Sequence, residues 1–258
     1  MTAPCRLIIG PPADGAWNMA VDETLLQSAI EQEVGSLRFY QWSTPTLSLG
    51  YFQAYADRLH HRPSLTCPVV RRSTGGGAIV HDHELTYSLA LPAEHPLAAD
   101  SARLYRCIHF ELIGLLCEAI GTAKRVVQCA SFASSHAQDP FLCFRRRGLE
   151  DVVLADDDAN SDVDWKIAGS AQRRRRGAVL QHGSVLLAAS LFAPEVPGVA
   201  ELTAKRLSPD ELAIQWAKRL AHHLGTGTKP QAITADEVAA TRRMVAEKFA
   251  SPVWTNRR

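Results

Sequence analysis

Three stretches of the chain hold side chains whose types and spacing suit chemistry. The first is Arg71-Arg72-Ser73-Thr74-Gly75-Gly76-Gly77-Ala78-Ile79-Val80-His81-Asp82. Successive glycines let the backbone come close to a ligand with its amides turned inward. The two arginines ahead of them suit a phosphate or a carboxylate. No Gly-Lys-Ser/Thr follows, so this is not a P-loop. A flexible hairpin turn is the structural alternative. The second stretch is Trp165-Lys166-Ile167-Ala168-Gly169-Ser170-Ala171-Gln172. A lysine among small residues can aim its ammonium at an anion or a polarised carbonyl. Its plain alternative is a solvated strand lysine. The third is Cys143, followed closely by Arg145-Arg146-Arg147. A buried free cysteine is usually a small hydrophobe, but cations beside a thiol turn it into a nucleophile. Cys5, Cys67 and Cys129 have no comparable cationic neighbours. Cys107 and Cys117 fall within a long helical pattern and are expected in or near the core.

The elements that must position these residues follow from periodicity. Val21, Leu25 and Ala29, widened by Leu26 and Ile30, predict a helix over 14–33. Residues 37–42, 46–51 and 68–71 predict strands, the last leading into the glycines. Leu85, Tyr87, Leu89 and Leu91 alternate with Thr86, Ser88 and Ala90, the period of a half-buried strand. A long helix starts at Asp100 or Ser101, turns Leu104, Ile108, Leu112, Leu115 and Ala119 to the core, and stops at Gly121. Short strands follow near 141–144, 151–154, 165–169, 178–181 and 184–187. His182-Gly183 is expected as a tight hairpin turn. Asp156 to Asp162 is expected as a polar loop. Ser208 with Glu211 and Thr234 with Glu237 predict capping boxes on two closing helices, and Gly225 ends the first of them. Strands in runs with hairpin-length joins predict one α+β domain over 1–258, with a mixed, largely antiparallel sheet and flanking helices.

Composition limits the function classes. The chain has 258 residues, 46% apolar and 21% charged, ordinary globular usage. A net charge of +1 excludes a histone-like coat and an acidic solvating tail. The basic runs 71–72, 145–147 and 173–176, if clustered in space, would form a basic face for an acidic partner. Residues 173–176 also fit a solvated hairpin tip. No RNA-binding aromatic motif accompanies the runs, so nucleic acid is not expected as a partner. No apolar run approaches the roughly 20 residues of a membrane span, and Leu7 to Ile9 is too short for a signal-peptide core. Six cysteines without a Cys-x-x-Cys pair argue against a zinc site or disulfide framework. A reducing, cytoplasmic location without a membrane partner is the expectation.

In this order, the segments resemble the lipoate–protein ligase and octanoyltransferase family, whose catalytic domain is akin to that of biotin protein ligase. The resemblance rests on Trp17-Asn18-Met19-Ala20-Val21-Asp22-Glu23, the Arg71-to-Asp82 glycine segment, Lys166-Ile167-Ala168-Gly169-Ser170-Ala171-Gln172 and Gln181-His182-Gly183-Ser184-Val185-Leu186-Leu187. It spans about 17–254. His81-Asp82-His83-Glu84-Leu85-Thr86-Tyr87-Ser88 looks like the branch that octanoylates the glycine-cleavage H protein. Cys143 stands where that branch keeps its acyl-accepting cysteine, and Gly77 stands where it often has arginine. Ligases of the family commonly carry an extra C-terminal domain, whereas a single catalytic domain is the expectation here.

The resemblance implies an acyltransferase that moves octanoyl or lipoyl from acyl carrier protein to a lipoyl-domain lysine. The acceptor would be the glycine-cleavage H protein or a 2-oxoacid dehydrogenase subunit. It makes Cys143 the nucleophile and Lys166 its cationic partner, with Arg72, Gly75, Gly76, Gly77, His81, Gly169 and Ser170 against the substrate. It implies no metal ligand and no required cofactor. An ATP-dependent lipoate ligase using ATP and Mg, and an octanoyl amidotransferase between lipoyl domains, are the enzymatic rivals. A non-catalytic lipoate- or biotin-binding module is the rival from another class, and it gives no reason to keep both Cys143 and Lys166.

Overall fold

The computed structural model describes residues 5–121, 125–129, 140–155, 164–225, 227 and 229–258. The strands are β1 Arg6–Ile9, β2 Ser36–Tyr40, β3 Thr46–Leu49, β4 Val69–Arg71, β5 Ile79–His81, β6 Glu84–Leu91, β7 Arg125–Gln128, β8 Val152–Ala155, β9 Trp165–Arg175 and β10 Ala178–Leu186. The helices are α1 Gly15–Glu31, α2 Ser101–Ile120, α3 Val199–Thr203, α4 Pro209–Leu224, α5 Ala235–Met244 and α6 Pro252–Thr255. A seven-stranded sheet runs β1-β2-β6-β10-β9-β8-β7, and a three-stranded sheet runs β4-β3-β5. Only β1–β2 and β3–β4 pair in parallel among these ladders. The fold is thus the mixed, largely antiparallel α+β arrangement expected. None of the described helices is long and apolar enough to cross a membrane.

Both faces of the large sheet are covered. On one, α2 and α4 press Leu104, Ile108, Leu112, Leu116, Trp216 and Leu220 onto Leu37, Phe39, Leu85, Tyr87 and Leu89. On the other, Val21, Leu25, Leu26 and Ala29 of α1 pack on Ile8, Ala90 and Leu180. The expected α1 stripe is therefore the one buried. On α2 the stripe ends at Ile120, while Ala119 is exposed. Cys117 is also exposed and Cys107 is half-buried, so only Cys107 lies near the core. α5 docks on α1 through Glu237, which accepts from Arg6 and from Ser28 Oγ at 2.8 Å. Thr234 and Glu237 close the capping box expected there. At α4 only one half of the expected capping box forms, Ser208 Oγ accepting from Glu211 N at 3.4 Å, and Gly225 ends the helix at φ 61°.

Three expectations change. β6 keeps its period of two, but all eight residues are buried, because its polar side meets α1 and the small sheet rather than water. His182-Gly183 is not a turn, since β10 runs straight through both residues. The turn is Arg176-Gly177, with φ 48° and 82°. A two-residue hairpin of this kind needs positive φ at both central residues. Gly183 serves a close approach instead, for a Cβ there would lie 2.4 Å from both Gly169 O and Ser170 Oγ. Finally, 141–144 forms no strand. It makes one bridge, Leu142 to Ala78, and then a 3-10 turn over Cys143–Arg145. The acidic loop at 156–162 lies outside the described residues.

One polar cluster stitches α1, β2 and β10 together. Asp22, 1% exposed, accepts from Arg38 Nη1 at 2.8 Å, Tyr40 OH at 3.0 Å and His182 Nδ1 at 3.0 Å. Burial pushes the Asp22 carboxyl up, but the His182 hydrogen bond and the Arg38 charge outweigh it and hold the group below its ordinary value. The ionised carboxylate therefore stabilises the fold above its ordinary pKa, and that stabilisation fades as pH falls through the lowered one. Asp22→Asn leaves Arg38 buried without a counter-ion and should cost about 3–5 kcal/mol near neutral pH. Thermal melts across an acid series should show the gap between wild type and variant narrowing below the ordinary carboxylate range. A gap that stays constant into acid would remove Asp22 from this role.

Candidate functional site

The glycine segment joins β4 to β5 and is held by its own arginines. Arg71, fully buried, donates to Gly50 O at 2.9 Å, Gln53 O at 2.7 Å and Thr255 O at 3.0 Å. Arg72 donates to Gly75 O at 2.8 Å, Gly77 O at 2.6 Å and Ser48 O at 3.2 Å. Both guanidinium groups are committed to carbonyls, so they shape the loop. Burial lowers Arg72 to about 10, with the charge of the Cys143 sulfur opposing. Gly76 sits at φ 93°, and a Cβ on Gly50 would fall 2.0 Å from Gly76 O. The two glycines let two backbones touch where any side chain would separate them.

Cys143 and Lys166 meet beside this loop. Cys143 N donates to Ala78 O at 2.8 Å, and Ala78 N donates to Phe141 O at 3.0 Å. These bonds anchor the thiol to the strand that follows the glycines. Lys166 Nζ lies 3.7 Å from Cys143 Sγ and 2.8 Å from Asp151 Oδ2, with its side chain only 5% exposed. Burial pulls the ammonium down, while the Cys143 sulfur charge and the Asp151 carboxylate raise it and prevail. Lys166 is therefore held as a cation away from bulk water.

A β-bulge aims this lysine. Val152 pairs with Ala168 and Val153 pairs with Lys166, so Ile167 is the extra residue. Ile167 and Ala168 both enter the core, and the bulge returns Lys166 to the side of Gly169. A Cβ on Gly169 would lie 2.4 Å from Lys166 Cε and 2.8 Å from its Nζ. Glycine there is the space in which the lysine folds over its own strand.

Two cavities adjoin at this point. The inner one, a narrow space of ≈ 60 Å³, is lined by Arg72, Gly75, Gly76, His81, Gly169 and Ser170 together with Cys143 and Lys166. Its apolar wall comes from Met19, Ile79, Phe144 and Ala171. Behind it, His81 Nδ1 lies 2.7 Å from Glu84 Oε1 and Nε2 2.8 Å from Ser48 Oγ, with the ring stacked on Trp42 at 3.9 Å. The outer cavity, ≈ 490 Å³, is lined by Gly77, Tyr105, His109 and 146–151, and it shares Gly76, Cys143, Lys166 and Ser170 with the inner one. The thiol and the ammonium thus stand on the wall between the two spaces.

The structure also gathers residues that sequence reasoning missed. Asp151, the partner of Lys166, stands fifteen positions upstream in the chain. Nothing in its surroundings, Leu149-Glu150-Asp151-Val152, distinguishes it from a loop acid. His182 and Thr74 are joined, Nε2 to Oγ1, at 2.6 Å, linking the Asp22 cluster to the glycine segment. His182 lay inside a quoted motif but was expected in a turn. The basic runs do not merge into one face, because Arg71 and Arg72 are buried. Arg146 donates to Pro140 O at 2.8 Å, and Arg147 pairs with Asp164 at 3.4 Å. Arg173 donates to Ser73 O at 2.9 Å, and Arg174 to Ser101 Oγ at 2.9 Å. Arg257, 4.5 Å from the Tyr51 ring, and Arg258, 5.3 Å from the Phe52 ring, join Arg173 beside the loop. Those last two residues are themselves adjacent cations, a pair that sequence reasoning passed over.

Comparison with known proteins agrees with this architecture. The profile of the lipoyl protein ligase A/B catalytic domain matches residues 14–208. The chain is 30% identical to the octanoyltransferase LipM of Brevibacillus brevis over 98% of this chain and 99% of that protein. It is 29% identical to the octanoyltransferase LipM of Bacillus subtilis, over 98% of each. Among solved structures, a bi-partite lipoate protein ligase from Thermoplasma acidophilum superposes with a TM-score of 0.74 at 19% identity, covering 98% of this chain and 96% of its own. A lipoate-protein ligase A bound with ATP superposes at 0.70 and 21% identity, covering 98% of this chain and 99% of its own. These likenesses carry the fold. The chain belongs to the lipoyl protein ligase A/B catalytic-domain family and is an enzyme of its ligase and transferase group.

Proposed function

We propose that the protein is an octanoyltransferase acting through an acyl-Cys143 thioester, with octanoyl-acyl carrier protein as donor and a lipoyl-domain lysine as acceptor. The observation that carries the reading is the Cys143 Sγ to Lys166 Nζ approach of 3.7 Å on the wall shared by two cavities. The charged ammonium stabilises the thiolate, which attacks the donor carbonyl. A new C–S bond forms, the donor's C–S bond breaks with its electron pair on the carrier sulfur, which leaves as thiolate, and the acyl chain lies along the apolar wall of the inner cavity. The exchange is nearly isoenergetic because both sulfurs are alkyl thiols with a free pKa of about 8.5. The acceptor amine then attacks the acyl-enzyme, forming the amide and releasing Cys143. That step runs downhill, so neither half-reaction requires a nucleotide. Covalent catalysis splits one encounter of two large carriers into two simpler ones. The relatives named octanoyltransferase support the reaction class, and a structural neighbour described with its E2 lipoyl domain supports the acceptor class.

An ATP-dependent ligase is the reading to test against, because a neighbour of the same fold is described with bound ATP. Mixing the protein with octanoyl-acyl carrier protein, without ATP, should yield one octanoyl adduct by intact mass. Cys143→Ala should lose both adduct and transfer, while Cys107→Ala and Cys117→Ala should keep the adduct. Transfer at the wild-type rate by Cys143→Ala, or acylation only with ATP and free acid, would overturn the proposal.

Lys166→Ala should lower kcat by about 100- to 1,000-fold, the usual loss for one oxyanion donor. Alkylation of Cys143 by iodoacetamide near neutral pH should slow in parallel, since the thiolate loses its cation. Unchanged alkylation with a large kcat loss would instead fit a ligase. Gly169→Ala tests the same geometry without touching the charge. Its methyl must displace the Lys166 chain, so kcat should fall about 100-fold for a stability loss of only about 1–3 kcal/mol. A thermal melt and a turnover assay on the same sample separate the two effects.

A further inference from the structure

The acyl-Cys143 reading leaves one proton unassigned. When the acceptor amine attacks the thioester, its nitrogen must lose a proton. Lys166 remains paired with Asp151 at 2.8 Å, and its role at the oxyanion requires the proton to go to another group. Among the described residues of the outer cavity, which shares Cys143 and Lys166, the imidazole is His109. It projects from α2, is 1% exposed, and takes no part in the steps above.

The hydrogen bonds around His109 have only one consistent direction. Its Nδ1 meets the Glu150 backbone carbonyl, which can only accept, so Nδ1 carries the hydrogen. In the neutral ring Nε2 then offers a lone pair, and Ser170 Oγ lies 2.6 Å from it. Ser170 therefore donates to Nε2. Tyr87 OH, 2.7 Å from Ser170 Oγ, donates to Ser170 and accepts from Gln181 Nε2 at 2.6 Å. The chain of hydrogen bonds drains toward His109, and its exposed step is Ser170, which lines both cavities.

We propose that Ser170 Oγ and His109 Nε2 form a proton relay that deprotonates the acceptor amine as it attacks acyl-Cys143. The proposal rests on the acyl-cysteine reading. The amine arrives as free base, and its lone pair forms the C–N bond while the carbonyl pair moves to oxygen beside Lys166. The N–H proton passes to Ser170 Oγ as the Ser170 proton passes to Nε2. Collapse breaks the C–S bond, and its electron pair stays on Cys143 as thiolate. The imidazolium returns its proton to solvent through the outer cavity. Ser170 is the catalytic contact, and His109 acts through it.

The surroundings suit a transient proton carrier. Facing the ring are Tyr105 of α2 at 6.0 Å between ring centres, Glu150 and Asp151 from the preceding loop, Lys166 and Ser170 of β9, and Tyr87 of β6 beyond Ser170. Burial, helped by the Lys166 charge, holds His109 below its ordinary value against the opposing Glu150 carbonyl and Asp151. The ring is then neutral when the amine arrives and gives its proton up readily afterwards.

The test separates amine from thiol acceptors. Cys143 is loaded from octanoyl-acyl carrier protein and confirmed by intact mass. Loss of the adduct is then timed with a lipoyl domain or with pantetheine thiol, which ionises unaided and needs no relay. His109→Gln and Ser170→Ala should each lower the ratio of amine transfer to thiol transfer by about 100-fold or more, the range of general-base loss. With hydroxylamine, whose own protonation on the acid side is removed by dividing each rate by the free-base concentration, wild-type transfer should still fall as His109 protonates, and His109→Gln should lose that inflection. Equal losses with both acceptors, or a retained inflection, would make His109 a brace for the Glu150–Asp151 backbone and overturn the relay. Failure of the wild type to load is a different result and would remove the acyl-cysteine step itself, with the relay. Ser170→Ala deletes a single hydroxyl, so the test survives if His109→Gln does not fold.

Discussion

The structure around the site depends on keeping one ammonium charged where water does not reach. Burying an ion is expensive unless it is paired and hydrogen-bonded. Lys166 meets that condition with Asp151 at 2.8 Å, Cys143 Sγ at 3.7 Å and the Phe144 ring at 5.3 Å. Each partner imposes a backbone requirement. Asp151 must turn inward immediately before β8, and its Oδ2 also accepts from Gly148 N at 2.7 Å, which fixes that turn. Lys166 must leave the core side of β9, which the bulge at Ile167 accomplishes. Gly169 must lack a side chain, because the lysine occupies its place. The Lys-Ile-Ala-Gly order thus has a steric cause at every position: cation, bulged core residue, core residue, vacant site.

The glycine loop is braced from far away in the chain. Trp254 Nε1 donates to Arg71 O at 2.8 Å, and Arg71 Nε donates to Thr255 O at 3.0 Å. Lys248 Nζ meets Glu23 Oε2 at 2.6 Å, and Glu23 accepts from Ser73. Burial lowers the Lys248 ammonium, with the Glu23 charge opposing, as befits an ion pair partly removed from water. The closing segment from α5 to α6 therefore holds α1 and the loop in one register. From the other side, Thr74 is tied to His182 and through it to Asp22 and Arg38. A loop of small residues has little packing of its own, so its shape comes from these side chains of α1, β10 and the C-terminal segment.

Periodicity made much of the frame legible. The α1 stripe, the long α2 helix, the sidedness of β6 and the caps on the closing helices follow from local rules, and local rules act here without interference. What periodicity cannot say is what covers the second face of a strand. Thr86 and Ser88 read as solvent-facing, yet they meet Trp42 and the Asp22 cluster inside the protein. The turn assigned to His182-Gly183 failed for a related reason. Glycine answers to two needs, positive φ and close approach, and spacing alone does not separate them. The grouping of Cys143 with Lys166 was expected only from the family resemblance. Asp151 and His109 were illegible because a bulge and a helix docking, both tertiary, bring them to the site.

Charge development gives the arrangement its order of events. In the proposed reaction, negative charge appears on Cys143 sulfur, then on the carbonyl oxygen, then on sulfur again as the amide leaves. Both positions lie within reach of one immobile cation that needs no reorganisation between them, which is where preorganised electrostatics contribute most. The geometry also separates the roles of the two spaces. An acyl chain on Cys143 can extend along Met19, Ile79 and Phe144 while the face of its carbonyl stays open to the outer cavity. Donor and acceptor then use the same entrance in turn. Arg146 and Arg147 line the outer cavity together with Glu150 and Asp151, and Arg147 is paired with Asp164. A single wall bearing thiol and ammonium thus serves both half-reactions, and the acyl group need not move between them.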